Sequence, residues 1–273
     1  LDYKESKPNK RVGIIGVGRM GRAIGKHLLN AGYSLTLYDP ITEGSEELAK
    51  HGARIAYSLA DLASTTDVAI VLVGYPNEVI NALTSSDGFF SGAKPGTTII
   101  IGSTVSPQLV KDLAAKAAEN QLHVLDAPMA RGEKGAIEGN LLWFVGGEKD
   151  VVEECKEILS ACGTDIHYLG GLGAGQVGKT VNNMLLWAAL VADHEGFELA
   201  DSYGVDIEEL RQALVKSSAS NWALVNWQHM KNIPWAQKDM NIVLDMADQT
   251  RVFLPMAGFV REQVKKHMYE ASF

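Results

Sequence analysis

The stretch Arg11-Val12-Gly13-Ile14-Ile15-Gly16-Val17-Gly18-Arg19-Met20-Gly21 decides how this chain folds. Arg11–Gly16 is a short apolar run stopped by glycine, the form of a strand buried on both faces. Arg19–Leu29 then places Ala23, Ile24, His27 and Leu28 at helical spacing before the turn Asn30-Ala31-Gly32. Between strand and helix lies G-x-G-x-x-G. Gly16 permits the tight turn, Gly18 lets the backbone around Val17, Arg19 and Met20 approach a pyrophosphate, and Gly21 lets helix and strand pack closely. An ordinary glycine-rich turn could carry the same letters. Context separates the two readings, because Asp39 ends a second apolar run, Leu35–Tyr38, 18 residues after Gly21. A carboxylate there can accept both ribose hydroxyls of an adenosine and repels a 2′-phosphate. Pro40 follows, so no arginine is next in line to clamp that phosphate, and NAD is expected over NADP. The competing role for Asp39 is that of a turn residue before proline.

Outward from this turn, strand-like and helix-like segments alternate. Strands are expected at Val68–Val73, Thr97–Ile101, Leu122–Asp126, Leu141–Val145 and Ile166–Leu169, with helices at Ser45–His51, Asn77–Leu83, Ser106–Ala118 and Val151–Ala161. That alternation implies a parallel sheet covered on both faces. The pattern changes at Gly170-Gly171-Leu172-Gly173. Ala174–Tyr203 contains no proline and reads as one long helix, followed by helices at Asp206–Lys216, Lys238–Asp248 and Pro255–Tyr269. The expected architecture is an α/β dinucleotide-binding domain of Rossmann type over 1–170. An all-helical domain over 171–273, joined through the long helix, is expected to serve substrate binding and self-association.

Composition removes several classes of function. Of 273 residues, 46% are hydrophobic and 21% charged, enough to bury one large core or two modest ones. The net charge of −8 leaves no basic footprint for nucleic acid or an anionic membrane surface. No apolar run approaches the ~20 residues a membrane span needs. Leu1-Asp2-Tyr3-Lys4 lacks the basic-then-apolar order of a secretory signal, so a cytoplasmic protein is expected. The two cysteines, Cys155 and Cys162, would lie about 10 Å apart on one helix, too far for a disulfide. Two buried thiols are expected. Seven histidines show no metal-binding spacing, and His194-Glu195 has no second histidine in register, so no metal site is expected. Trp222, Trp227 and Trp235 read first as packing residues and second as pocket lining.

Further segments resemble one family, the β-hydroxyacid dehydrogenases typified by 3-hydroxyisobutyrate dehydrogenase. Gly13–Asp39 is similar to its cofactor signature. Gly102-Ser103-Thr104-Val105-Ser106-Pro107 resembles its S-T-x-x-P loop, and Val73-Gly74-Tyr75-Pro76 stands where another cofactor loop is expected. Asp126-Ala127-Pro128-Met129-Ala130-Arg131-Gly132 resembles the substrate motif D-A-P-x-S-G-G. Gly173-Ala174-Gly175-Gln176-Val177-Gly178-Lys179-Thr180-Val181-Asn182-Asn183 matches G-x-G-x-x-x-K-x-x-N-N, and Lys238-Asp239 matches a later K-D pair. The resemblance implies that Lys179 is the catalytic base and acid, with Asn183 and Lys238 beside it. It also implies substrate contacts at Met129, Ala130, Arg131 and Gly132, cofactor contacts at Val73, Gly74, Tyr75 and Thr104, and a homodimer or homotetramer.

Residue chemistry agrees with that assignment. Lys179 and Asn183 are four apart, so one helix face carries both. Oxidising an alcohol sends hydride to nicotinamide while the hydroxyl proton goes to a base, a part a lysine in a desolvated cleft can take. Asn183 can donate to the substrate or hold the lysine. Asp126, at a strand end before Ala-Pro, is read as ordering the loop. The chain departs from the family at Ala130, which replaces a serine, and at Arg131, which replaces a glycine. A Gly-Arg pattern of this kind occurs in sulfolactaldehyde reductases of the same superfamily, where the arginine takes part in anion binding. Here it can equally be a surface residue paired with Glu133. Between Met230 and Lys238 the chain is several residues shorter than the family, and its last helix is reduced. The expected substrate is a small anionic hydroxy acid or its aldehyde. The rivals are an anionic aldehyde reductase using Arg131, an imine reductase, and an idle dinucleotide-binding module.

Overall fold

The computed structural model describes residues 10–230 and 233–270. The chain forms two compact units, one ending at Lys179 and the other beginning at Thr180. The first unit opens with β1 (Arg11–Ile15), α1 (Arg19–Asn30), β2 (Ser34–Tyr38), α2 (Glu43–Ala49), β3 (Arg54–Ile55), α3 (Leu59–Ser64) and β4 (Val68–Val71). It continues through α4 (Pro76–Thr84), α5 (Phe89–Gly92), β5 (Thr98–Ile101), α6 (Pro107–Ala118), β6 (His123–Asp126), β7 (Met129–Ala130) and α7 (Gly132–Glu138). It closes with β8 (Leu141–Gly146), α8 (Lys149–Ser160), β9 (Gly163–Gly170) and the start of α9 (Ala174–Ser202).

One sheet runs in the order β3-β2-β1-β4-β5-β6-β8-β7, with β9 beside β8. It is parallel from β3 to β6, as a strand-helix alternation requires. A wholly parallel sheet, however, is not what forms. β8 is antiparallel to β6 and β7, and β9 follows β8. The physical reason is the connection. Only ten residues, 131–140 with α7 among them, separate β7 from β8, whereas a parallel pair needs a crossover of about a dozen residues or more. β3 and β7, two residues each, are too short to show a period and are absent from the expected strands.

Successive strand residues face opposite sides of the sheet, and both sides are apolar. Ile14, Val68 and Ile70 join Leu28, Leu37 and Trp143 on one side, while Ile15, Ala69 and Val71 join Leu62, Leu83 and Phe89 on the other. Full burial of each Val, Ile, Leu or Phe among them is worth about 1.5–3 kcal/mol, so this double layer fixes the positions of the strand ends. Helix starts follow the sequence signals. Ser106 Oγ accepts from Leu109 N (3.2 Å) with Pro107 in the first helical position. Cys155 on α8 and Cys162 just beyond it are both buried and free, and burial pushes their thiols up to about 11 and about 12.

The second unit holds the rest of α9, then α10 (Ile207–Val215), α11 (Trp222–Val225), α12 (Ala236–Thr250) and α13 (Pro255–Glu270). Asp206 caps α10 by accepting from Glu209 N (2.9 Å). α12 begins before the expected Lys238, because Ala236 and Met240 pack with Trp187, Leu190 and Val260 into this unit's core. Lys231 and Asn232, in the segment expected to be short relative to the family, lie outside the described residues. No helix among the described residues is long and apolar enough to cross a membrane.

Candidate active site

Two of the three glycines of the β1–α1 turn have a steric reason. Gly16 has φ +94°, and a Cβ there would lie 2.8 Å from the Leu72 carbonyl carbon. A Cβ on Gly21 would overlap the Gly16 carbonyl oxygen. Gly18 differs, for a Cβ on it would meet nothing within 4 Å. Gly18 is also the N-cap of α1. No side chain caps that helix, and no acidic residue occupies its first turn. The first-turn N–H groups and the helix dipole are therefore left for an anion, as a pyrophosphate requires.

Asp39 closes this turn from β2. Its Oδ2 accepts from Val17 N (2.6 Å) and its Oδ1 from Ile41 N (2.8 Å). It is thus both a turn residue around Pro40 and a brace for the glycine loop. Each oxygen keeps a further lone pair, which suits two ribose hydroxyls. Arg19 reaches the other way, pairing with Glu133 at 3.2 Å, while Met20 packs on the core. These residues fit a dinucleotide.

The neighbouring strand ends add two loops. Gly74 N and Tyr75 N both donate to Glu78 Oε2 (2.8 and 3.0 Å), so the start of α4 holds the Val73–Tyr75 loop. Glu78 is absent from the expected site residues, because Tyr75 stands where the Ser or Thr of a capping-box signal would be. Ser103 Oγ donates to the Val73 carbonyl (2.8 Å), and a Cβ on Gly102 would stand 3.1 Å from Met129 Cε. Gly16, Val73–Tyr75, Gly102–Thr104 and Met129 are thereby gathered beyond the carboxyl ends of β1, β4, β5 and β6. Open α/β sheets bind ligands at that edge.

Asp126, fully buried at the end of β6, receives α9. Its Oδ1 accepts from Gly173 N and its Oδ2 from Gln176 N, both at 2.8 Å. Burial pushes its carboxyl pKa up, and the N–H donors of Gly173 and Gln176 oppose that. Its task is to seat a helix rather than to order its own Ala-Pro loop. A Cβ on Gly175 would overlap the Phe144 carbonyl oxygen, which explains the second glycine of this segment. Lys179 is half-buried further along α9, and Asn183, one turn on, is buried. Asn182 Nδ2 donates to Asn183 Oδ1 (3.0 Å).

The remaining expected site residues fall on other elements. Ala130 is buried in β7. Arg131 has φ +78° and Gly132 φ +60°, so the family's glycine at 131 is a left-handed position that this chain fills with arginine. Its Nη1 contacts Asn140 O (2.7 Å), Thr164 Oγ1 (3.0 Å) and Asp165 Oδ2 (2.7 Å). Asp165 is its partner; Glu133 is paired with Arg19. In the second unit Lys238 Nζ lies 3.4 Å from Asp239 Oδ1 and 5.8 Å from the Trp235 ring centroid. Asp239 also accepts from Trp187 Nε1 (3.4 Å). Trp227 packs on His194 and Phe197. No cluster of three His, Cys, Asp or Glu able to hold a metal occurs among the described residues.

Residues 11–170 match the model of the NAD binding domain of 6-phosphogluconate dehydrogenase. Residues 173–271 match that described as the NAD-binding of NADP-dependent 3-hydroxyisobutyrate dehydrogenase. This chain belongs to the β-hydroxyacid dehydrogenase family. It is 32% identical to mitochondrial 3-hydroxyisobutyrate dehydrogenase of Homo sapiens, over 94% of this chain and 81% of that one. It is 34% identical to the NAD-dependent L-serine dehydrogenase of Pseudomonas aeruginosa, over 79% of this chain and 72% of the other. A crystal structure of 3-hydroxyisobutyrate dehydrogenase from Salmonella typhimurium superposes with TM-score 0.86 at 25% identity, covering 94% of each chain. As a member of this family the protein is a dehydrogenase with NAD as its cofactor.

Proposed function

We propose that this dehydrogenase interconverts a short β-hydroxy acid and its semialdehyde, with Lys179 as the proton shuttle. The observation that carries the reading is α9, seated on Asp126 and bearing Lys179 and then Asn183 one turn later. NAD, when bound, supplies the hydride acceptor. Gly16–Gly21 and Asp39 would hold its phosphates and ribose, and Val73, Gly74, Tyr75 and Thr104 would line its nicotinamide end. Asp39 sets the preference for NAD over NADP. Lys179 takes the hydroxyl proton during oxidation and returns it to the carbonyl oxygen during reduction. Asn183 donates to the same oxygen and holds it beside the lysine. Met129, Ala130 and Gly132 contact the acid, and Lys238 adds a cation for its carboxylate. The division of labour falls at residue 170, with cofactor binding before it and substrate binding and self-association after it. We place the protein in the cytoplasm as a homodimer or homotetramer, in keeping with free buried thiols and exposed Leu185 and Leu199 on α9.

A reductase of anionic aldehydes that uses Arg131 is the second reading. Against it stands the commitment of Arg131 Nη1 to Asn140, Thr164 and Asp165. An imine reductase usually lacks the lysine, and an idle module has no need of Lys179, Asn183 or Lys238. NADH absorbance with 3-hydroxyisobutyrate, L-serine, sulfolactaldehyde and a cyclic imine as test compounds separates these. Lys179→Ala should cut turnover by roughly 10²–10⁴ and leave NADH affinity nearly intact. A folded variant keeping more than about a tenth of the turnover removes Lys179 from the mechanism. In the same assay, a rise in KM for Arg131→Ala that far exceeds its fall in kcat favours the second reading.

A further inference from the structure

Gln176 is fully buried in the first turn of α9, and both ends of its carboxamide are engaged. Its Oε1 accepts from Val105 N (3.0 Å), and its Nε2 donates to the Ser103 carbonyl (2.9 Å). The peptide groups on either side of Thr104 are thus clamped by one side chain. Its own backbone N–H donates to Asp126 Oδ2, and Ser103 carries the linkage on to the Val73 carbonyl. A donor facing a carbonyl and an acceptor facing an N–H fix the orientation of the amide. No apolar residue of the same size could satisfy both groups.

We propose that Gln176 is a positioning residue whose carboxamide locks the Ser103–Val105 loop to the first turn of α9, holding Thr104 and Lys179 in one fixed relation. This rests on the reading above, in which Thr104 faces the nicotinamide and Lys179 the reacting oxygen. Gln176 touches neither substrate nor cofactor and acts through the loop.

The test uses the full chain and two ligands, NADH and ADP-ribose, the latter lacking the nicotinamide. Gln176→Met fills the volume without the hydrogen bonds. Its Kd for ADP-ribose should stay within about twofold of the parent, while its Kd for NADH weakens at least about fivefold and the Val105 amide exchanges faster. Equal effects on the two ligands, or none on either in a folded variant, overturn the proposal.

Gln176→Glu gives a second arm should the methionine variant fail to fold. When ionised, the introduced carboxylate presents a lone pair to the Ser103 carbonyl and a like charge beside Asp126. Lys179, three residues on, is the nearest cation along the helix. When protonated, the same carboxyl regains the donor to Ser103 while its other oxygen accepts from Val105. The NADH Kd of Gln176→Glu relative to the parent should therefore recover as pH falls from about 8.5 to about 6, because burial and Asp126 lift this carboxyl well above its usual range. A flat ratio overturns the lock. Parental turnover with β-hydroxy acids is read separately. A parent that binds NADH yet oxidises none of them refutes the proposed function, while the comparison of ligands still decides the role of Gln176.

Discussion

Two glycine-rich turns each launch a helix from a strand end, Gly16–Gly21 into α1 and Gly173–Gly178 into α9, and they use the helix N-terminus in opposite ways. At α1 the first turn has no acidic residue and no side-chain cap, and Gly18 faces open space. At α9 the N–H groups of Gly173, just before the helix, and of Gln176, in its first turn, close on the buried carboxylate of Asp126. One turn is left open to an anion from outside. The other is already filled by an anion from within, which makes it a joint. Similar letters therefore carry different chemistry, and the deciding variable is whether a protein carboxylate lies within reach.

The contrast breaks most visibly at the closed turn. Gly175→Ala pushes a methyl into the Phe144 carbonyl and should cost roughly 3 kcal/mol, at the upper end of overpacking, in urea unfolding of the apoprotein. Asp126→Ala strands two buried N–H groups and should cost about 2–3 kcal/mol. Asp126→Asn, which keeps one acceptor and removes the buried charge, should lose less. At the open turn the expectation reverses. Gly18→Ala should leave the unfolding free energy within about 0.5 kcal/mol of the parent, while NADH affinity by fluorescence titration falls about tenfold as the methyl enters the phosphate cradle. Loss of stability without loss of affinity would erase the distinction between the turns. The smallest effect is expected at Asp39→Ser. It keeps one acceptor for Val17 and drops the charge, so the ratio of kcat/KM for NAD over NADP should narrow while turnover with NAD persists. Equal use of the two cofactors by the parent would reduce Asp39 to the turn residue it also is.

The open turn is legible in the sequence because everything it needs is local. The apolar strand, the three glycines, the helix and Asp39 lie in one continuous segment. Long-range partners are not. Gln176 reads as one more polar residue in a helical run, and its contacts are 71 and 73 residues away. The reversal of β8 is hidden too, since Leu141–Val145 is apolar throughout and reads the same in either direction. Arg131 stands out as a departure from the motif, but its partner Asp165 belongs to another strand, beyond the motif's reach. Spacing alone puts Lys179 and Asn183 on one helix, and α9 carries both.

The left-handed backbone at Arg131 also has a meaning in genetic terms. A glycine codon becomes an arginine codon by one base change. For a residue with a side chain, φ +78° costs roughly 1–2 kcal/mol, a penalty glycine does not incur. The bond to the Asn140 carbonyl returns roughly 1 kcal/mol, and the solvent-screened contact with Asp165 adds to it. The two sides nearly cancel. Glycine and arginine are therefore close to neutral neighbours at this position, reachable from each other by a single mutational step. β-Branched residues are shut out, having the strain of the backbone and no reach to Asp165.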